Sequence, residues 1–200
     1  MSAVLRQTLA GLRLLLVATV LLGIGYPMAI WGVSRLPGLV ANAEGSQIVM
    51  DGRVVGSSLI GIDPVAHDPA HDPYFHTRPS ASAEGSLGPG DPATSGGSND
   101  GGSNDELLAA VHERRAAIAE REGSVPEAVP ADAVTASASG VDPHISPAYA
   151  ELQAPRVARV TGLPLAEVHR LIAQCEEGGL VSPLAVNTST LNVAVRGAAR

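Results

Sequence analysis

The chain has 200 residues, of which 45% are hydrophobic, 2% aromatic and 16% charged, and its formal net charge is −7. Every basic residue is an arginine, which excludes a Walker-type phosphate loop and Schiff-base chemistry because both need a lysine. Cys175 is the one cysteine, so an internal disulfide and a thiolate zinc cage are also excluded.

The segment Leu14–Ser34 contains 21 consecutive uncharged residues, most of them apolar. In a helix that rises about 1.5 Å per residue, this length matches the roughly 30 Å hydrocarbon core of a bilayer. Tyr26 and Trp31 lie toward its C-terminal end, where aromatic rings favour the headgroup layer. The sequence therefore predicts one transmembrane helix in the lipid bilayer. A cleaved signal peptide is the alternative, since Ala41–Ala43 imitates a cleavage site, but the apolar run is longer than such a peptide needs.

Charges at the ends of this helix predict its orientation. Arg6 and Arg13 precede it, and Arg35 alone follows it closely, so the positive-inside rule places the N-terminus in the cytoplasm. After Leu36 the chain has 10 arginines against 20 acidic residues, a balance that repels polyanions. The predicted division is a cytoplasmic N-terminus at 1–13, a transmembrane helix at 14–34, a linker at 35–46 and an extracytoplasmic domain at 47–200.

The outer domain begins with a predicted β-hairpin. Ile48–Met50 and Arg53–Val55 are β-rich runs on either side of the turn dipeptide Asp51-Gly52. Leu59 and Ile60 are expected to extend the second strand or to start a third. Residues 85–104 include seven glycines, and a loop of that length without regular structure is expected to be disordered.

Helices are predicted for much of the remaining chain. Ser103 and Glu106 form a capping box that starts a helix running toward Gly123. The stripe expected to face the core contains Leu107, Leu108, Val111 and Ile118. The face expected to meet solvent contains Glu113, Arg114, Arg115, Glu120 and Arg121.

The C-terminal third is predicted to contain two helices and a strand. Ser146-Pro147 starts a helix that Pro155 interrupts, and Pro164 begins another that Gly178 and Gly179 stop. Residues 125–140 are expected to be looped or extended, and residues 186–195 to form a closing strand. Together with the hairpin, these elements predict an α+β domain behind one transmembrane helix.

Three candidate sites follow from residue chemistry alone. His67, His71 and His76, interleaved with Asp68 and Asp72, contain metal-ligand types, but a proline-broken loop does not align them and no metal is predicted. A hydrolase triad drawn from Ser139, Asp142, His144 and Ser146 lacks a nucleophile-elbow sequence. A helix-turn-helix at residues 155–172, with Arg156, Arg159 and Arg170 toward phosphates, would make the chain a membrane-anchored DNA-binding or sensor protein.

Several short strings, in order along the chain, are similar to one family. They are Gly56–Gly61, Tyr74–Ala81, Ser95–Asn99, Val129–Asp132, Val134–Ser137, Asp142–Pro147, Pro155–Ala158 and Val186-Asn187. With the N-terminal apolar segment, this series resembles the C subunit of the bacterial Kdp-type potassium-transporting ATPase. Each string is weak by itself, but the ordered series is specific.

The resemblance implies an accessory, non-catalytic subunit of an ATP-driven potassium import complex in the plasma membrane, and no nucleic-acid partner. Its partners in the family are a potassium-selecting A subunit and an ATP-hydrolysing B subunit. The family's C subunit is described as needed for assembly and as a catalytic chaperone that raises the ATP affinity of the B subunit. The resemblance therefore implies ATP as a ligand. The segment Ser95–Asn99 has been compared with the signature of ABC ATPases.

Two sets of contact residues are predicted from this resemblance and from residue chemistry. Glycines permit close backbone approach and serine and asparagine supply hydrogen bonds, which suits contact with a nucleotide or a neighbouring subunit. The predicted nucleotide or subunit contacts are Ser95, Gly96, Gly97, Ser98, Asn99, Ser103 and Asn104. The predicted subunit-interface residues are Gly23, Gly25, Ala29, Tyr74, His76, Arg78, Asp142 and His144.

Overall fold

A computed structural model describes residues 2–200, and it divides after Ser46 into two compact units. The first unit contains one continuous helical stretch, Ala3–Ser34, of 32 residues, and none of its most apolar window is buried. By length and composition this stretch could cross a membrane. Helical structure therefore begins eleven residues before the predicted segment. The elements of the unit are α1 (Ala3–Val20), a π-helical turn (Leu21–Gly25), α2 (Tyr26–Ser34) and the short α3 (Val40–Ala43).

The π-helical turn has a local cause in the sequence. Pro27 has no N–H group with which to bond the carbonyl of Gly23, and the N–H of Tyr26 instead donates to the carbonyl of Leu21, five residues back. The helix accommodates the proline by widening one turn and continues without a break.

The second unit starts with the predicted hairpin. Strands β1 (Gln47–Met50) and β2 (Arg53–Ser57) pair antiparallel, with a bulge between Ile48 and Val49. Asp51 and Gly52 both have positive φ, 52° and 74°, as a tight two-residue hairpin turn requires. Leu59 and Ile60 lie in neither an extended β2 nor a third strand, so that prediction was wrong.

Helix α4 (Asp105–Glu122) is present, but two details of its prediction were wrong. Asn104, not Ser103, caps it, because the Asn104 side-chain oxygen accepts from the N–H of Glu106 at 2.8 Å. The buried residues are Ile118, Ala119 and Glu122, and Val111 packs partly buried against the core, whereas Leu108 is exposed. The core contact runs from Val111 to Glu122, so the predicted stripe is confirmed at Val111 and Ile118 and was wrong at Leu108.

The C-terminal elements form a helical layer against a small sheet. Strands β3, β5 and β4 pair antiparallel in that spatial order. The core lies between this sheet and the helices, around Phe75, Ile118, Tyr149, Ile172 and Leu191. This arrangement confirms the α+β class. The elements are α5 (Ala131–Val134), β3 (His144-Ile145), α6 (Pro147–Thr161), α7 (Leu165–Gln174), β4 (Glu176-Glu177), β5 (Ala185–Asn187) and α8 (Thr188–Ala198).

Pro155 does not interrupt α6, contrary to the prediction. The helix runs through it from the predicted cap at Ser146, whose hydroxyl accepts from the N–H of Tyr149 at 3.0 Å. Pro155 and Glu151 are both exposed, so water can solvate the Glu151 carbonyl that the proline leaves unbonded. The glycine pair at 178 and 179 lies in the β4–β5 connection, and α7 already ends at Gln174.

Two other segments differ from the prediction. Residues 186–195 are mostly helix, because Asn187 caps α8 by accepting from the N–H groups of Ser189 and Thr190, and Leu191 and Val195 then bury one face. Residues 125–140 contain a 3₁₀ turn (Pro126–Ala128) and the single-turn helix α5. In both cases a local cap or turn decided the structure, although the composition favoured strand or loop.

Candidate functional site

A buried polar cluster centres on His76. Its Nδ1 lies 3.0 Å from an Asp63 carboxylate oxygen and its Nε2 lies 2.6 Å from an Asp72 carboxylate oxygen. All three side chains are nearly inaccessible to solvent. Burial by itself would lower the pKa of His76, but the two carboxylates outweigh it and raise that pKa. Burial likewise opposes ionisation of Asp72, yet the hydrogen bond from His76 holds its pKa below the usual range.

A second buried group adjoins this cluster. Arg156 donates to both carboxylate oxygens of Glu122, at 2.9 and 3.2 Å, and to the backbone carbonyl of Asp72 at 2.7 Å. Arg121 donates to Glu122 at 2.7 Å and to the Tyr149 hydroxyl at 2.9 Å. Arg121 is therefore partly buried and charge-paired, which corrects its predicted place on the solvent face. Together the two groups join α4, α6 and the segment before Phe75.

Backbone hydrogen bonds fix that segment further. Asn192 on α8 accepts from the Phe75 N–H at 2.7 Å and donates to the Phe75 carbonyl at 2.8 Å. Gln153 on α6 accepts from the His76 N–H at 2.8 Å and donates to the His76 carbonyl at 3.2 Å. Each side-chain amide thus pairs with both the N–H and the carbonyl of one loop residue, as the backbone of a neighbouring β-strand would. The predicted interface residue His76 is thus a buried structural group, while Tyr74 is only half-buried.

A third, partly exposed cluster links the two outer strands of the small sheet, since His144 lies on β3 and Glu177 on β4. Arg78 donates to Asp142 at 2.5 Å, Asp142 contacts His144 at 3.0 Å, and His144 contacts Glu177 at 3.1 Å. Burial opposes ionisation of Asp142, but the His144 N–H and the Arg78 guanidinium lower its pKa. Burial would lower the pKa of His144, and hydrogen bonds with Glu177 and Asp142 raise it instead. The structure therefore brings together three predicted interface residues, Arg78, Asp142 and His144.

The glycine-rich segment, predicted to be disordered, packs against residues 137–140. The Gly96 N–H donates to the Ser139 carbonyl at 3.0 Å. A Cβ on Gly97 would lie 3.2 Å from the Ala138 carbonyl oxygen, so the absence of a side chain permits this close approach. Ser95, Ser98 and Ser103 are exposed. The predicted contact residues thus form one surface loop with serine hydroxyls toward solvent.

The donors of this loop do not fit a polyphosphate. The Asn99 side-chain amide donates to the Gly97 carbonyl, and the Asn104 amide donates to Asp100. Asp105 and Glu106 already occupy the first turn of α4, where the helix dipole would otherwise favour an anion. A nucleotide placed here would meet carboxylates and asparagine amides that are engaged within the protein, and of the side-chain donors only the serine hydroxyls face solvent.

The predicted contact residues of the apolar helix, Gly23, Gly25 and Ala29, are exposed. A Cβ added at Gly23 or Gly25 would make only ordinary van der Waals contacts within its own unit. Gly25 and Ala29, four residues apart, share one face of the helix, and such small residues let another helix approach closely; Gly23, two residues before Gly25, lies on the other side.

The alternative sites find little support in the geometry. Within residues 2–200, no group of three or more histidine, cysteine or acidic side chains could hold a metal ion. The Ser146 hydroxyl donates to Asp132, and the Ser139 hydroxyl contacts Ser137, so neither is paired with His144 in the part of the chain described. Arg156 is 3% exposed and cannot reach phosphates, although α6 and α7 do pack as a pair across Gly162.

Several residues of the buried clusters were missed by the sequence interpretation. Glu122, Gln153 and Asn192 lie on helices, where their spacing is unremarkable, and each acts on a segment far away in sequence. Gln153, for example, bonds His76 across 77 residues. The one available signal was that Glu122 and Gln153 sit among apolar residues on the core-facing sides of α4 and α6.

Comparison with known proteins identifies the family. The family model for KdpC, described as "K+-transporting ATPase, c chain", matches residues 8–197. A potassium-transporting ATPase KdpC subunit of Kineococcus radiotolerans is 44% identical over 100% of this chain and 97% of its own length. Subunits of the same description from Polaromonas naphthalenivorans and Mycobacterium tuberculosis are 46% and 43% identical, over 98% and 95% of this chain and 95% and 97% of their own lengths. The ordered motifs, the apolar helix and these full-length matches agree, and the chain belongs to the KdpC family of potassium-transporting ATPase subunits.

Proposed function

We propose that this chain is a non-catalytic accessory subunit of an ATP-driven potassium import complex, anchored in the plasma membrane by its N-terminal helix. The observation that carries this proposal is the match to potassium-transporting ATPase c chains over residues 8–197, which includes both the apolar helix and the polar domain. The partners we assign are the potassium-selecting A subunit and the ATP-hydrolysing B subunit.

The polar chemistry of the domain supports a binding role. The buried polar residues form hydrogen bonds and ion pairs inside the domain, so they stabilise the fold and cannot reach a substrate; they are His76, Arg156 and Glu122. Arg78, Asp142 and His144 form ion pairs at a surface that another subunit could contact. A subunit of this kind acts by restricting how its larger partners move.

The orientation follows from the charges that flank the helix. Arg6 and Arg13 lie on one side, and Arg35 on the other is paired with Glu44, so the cationic excess is on the N-terminal side. We therefore assign residues 47–200 to the extracytoplasmic side. A membrane-impermeant thiol reagent applied to intact cells tests this with Ser182→Cys, which lies in an exposed loop. The orientation predicts labelling in intact cells, and labelling only after lysis would contradict it.

Small residues of the apolar helix are the proposed contact with the companion subunits. Gly23→Leu and Gly25→Leu would each place a large side chain where a companion helix approaches, on nearly opposite sides of the helix, and each should reduce co-purification of the complex. Gly11→Leu is the matched control, because a Cβ there meets nothing within 4 Å and lies about three helical turns nearer the N-terminus. Equal recovery of the complex with all three variants would show that neither side of the helix around Gly23 and Gly25 makes a subunit contact.

The effect on ATP affinity is proposed to be indirect. The glycine-rich loop is flanked by acidic residues and its asparagine amides are engaged within the protein, so the loop is a better subunit contact than a phosphate cradle. Nucleotide titration of the full chain in detergent should give no saturable binding, while the complex lacking the chain should show a raised KM for ATP. Saturable binding that Asn99→Ala abolishes would instead establish direct nucleotide contact.

A further inference from the structure

An apolar groove lies between the hairpin and α8. It has a volume of about 460 Å³, within the range of small-ligand sites. Side chains from both strands, from the segment after β2 and from α8 form its walls, among them Ile48, Met50, Val55, Ile62, Tyr74 and Val193. Because these apolar side chains face a groove that no part of residues 47–200 fills, they leave room for an apolar occupant.

A basic cleft continues from one end of the groove. It has a volume of about 300 Å³ and shares Met50, Val55 and Arg196 with the groove, while Arg53 lines it from β2. The Asp51 carboxylate in the same cleft is bound by Arg200 at 2.6 Å. Within residues 2–200, neither Arg53 nor Arg196 forms an ion pair within 4.0 Å. Asp51 interacts electrostatically with Arg196 but is itself paired with Arg200, so the cleft keeps a positive charge in a domain that is acidic as a whole.

From this juxtaposition we infer that the groove and cleft bind one anionic phospholipid, with an acyl chain among the apolar side chains and the phosphate between Arg53 and Arg196. Guanidinium groups match phosphate oxygens in charge and geometry, and an apolar groove ending in two such groups matches an amphipathic anion. The inference rests on the proposed membrane anchor.

Two further observations favour a lipid over a protein segment. The groove begins at Ile48, and only residues 35–47 separate it in sequence from the apolar helix that ends at Ser34. Val49 and Val54, cross-strand partners on the hairpin, are each 59% exposed. The hairpin thus carries apolar side chains beyond those that line the groove, as an element at a lipid interface would.

The test uses the full chain in phosphatidylcholine nanodiscs that contain some phosphatidylglycerol with a photoactivatable acyl chain. After irradiation, peptide mass spectrometry should find lipid adducts on residues 47–62 and 188–198, in addition to those on residues 3–34. Arg53→Gln and Arg196→Gln should each lower the adducts at the groove about fivefold, and Arg53→Lys should retain them. Arg159→Gln and Arg170→Gln are matched controls that remove the same charge elsewhere and should have no effect.

Adducts confined to residues 3–34, or groove adducts that do not depend on Arg53 and Arg196, would overturn the inference and leave the anchor intact. Equal labelling by a photoactivatable phosphatidylcholine would also overturn it. Absence of adducts on residues 3–34 would refute the anchor itself. In the assembled complex, a benzophenone side chain introduced at Val193 should crosslink to lipid, and crosslinking to a companion subunit would show that a protein segment fills the groove.

Discussion

Replacing Arg156 with methionine should strongly destabilise the outer domain. The arginine is 3% exposed, and it donates to both oxygens of Glu122 and to the carbonyl of Asp72. Removing one partner of a buried ion pair costs about 3–5 kcal/mol, because the other charge stays buried without compensation. Arg121 still contacts Glu122 at 2.7 Å, so we expect the lower end of this range. For a domain of this size, about 3 kcal/mol lowers Tm by roughly 6–12 °C.

The assay is thermal unfolding of the full chain in detergent, followed by near-ultraviolet circular dichroism. Arg170→Met is the matched control, since Arg170 also pairs with a glutamate, Glu167, but on the surface, and its Tm should not change. The double variant Arg156→Met/Glu122→Gln should lose less than the sum of the two single variants. If Arg156→Met lowers Tm no more than Arg170→Met does, the buried network does not stabilise the fold and this reasoning is wrong.

Three other predictions concern the same domain. Asn187→Ala removes the cap of α8 and should cost about 1–2 kcal/mol in chemical unfolding. Gly61→Ala places a Cβ 2.5 Å from the Cα of Pro143 and should destabilise by about 1–3 kcal/mol, whereas Gly101→Ala meets open space and should be neutral in the same assay. Because the folded-state pKa of His76 is raised, its stabilisation is complete below about pH 6.5 and is lost as the pH rises through the raised value. Tm measured against pH should therefore fall on that side, and His76→Asn should flatten the fall; an unchanged profile would contradict the charge assignment.

Patterns that depend on near neighbours in sequence predicted the fold well. The Asp51-Gly52 turn gave the hairpin, and Ser146-Pro147 gave the start of α6. Each of these signals acts within a few residues, so the sequence carries all the information that the element needs. The apolar helix was predictable for the same reason, although its helical structure also includes the polar turn around Arg6 and Arg13, where apolarity gives no indication.

Predictions failed where distant contacts or exact caps decided the outcome. The residues 188–195 have the β-branched composition of a strand, but Asn187 caps a helix whose Leu191 and Val195 pack into the core. Pro155 looked like a helix end because a proline removes one hydrogen bond, and only its exposed position makes that loss tolerable. Among the partners of His76, Asp72 was already grouped with it from the sequence, but Asp63 and Gln153 come from positions that no spacing rule connects to it.

The distribution of charge partners separates the residues that build the domain from those available for contact. His76 and Arg156 form their hydrogen bonds and ion pairs with buried groups of the same domain. Substituting either residue should therefore lower the stability of the domain, and assembly of the complex should change only as a consequence. Leu180 and Val181, at the exposed connection between β4 and β5, are 97% and 98% exposed and contribute nothing to the core. Replacing both with serine should therefore leave Tm unchanged. If it also lowers recovery of the complex, the connection beside the His144 cluster contacts a companion subunit, and a fall in Tm would show that these side chains serve the fold after all.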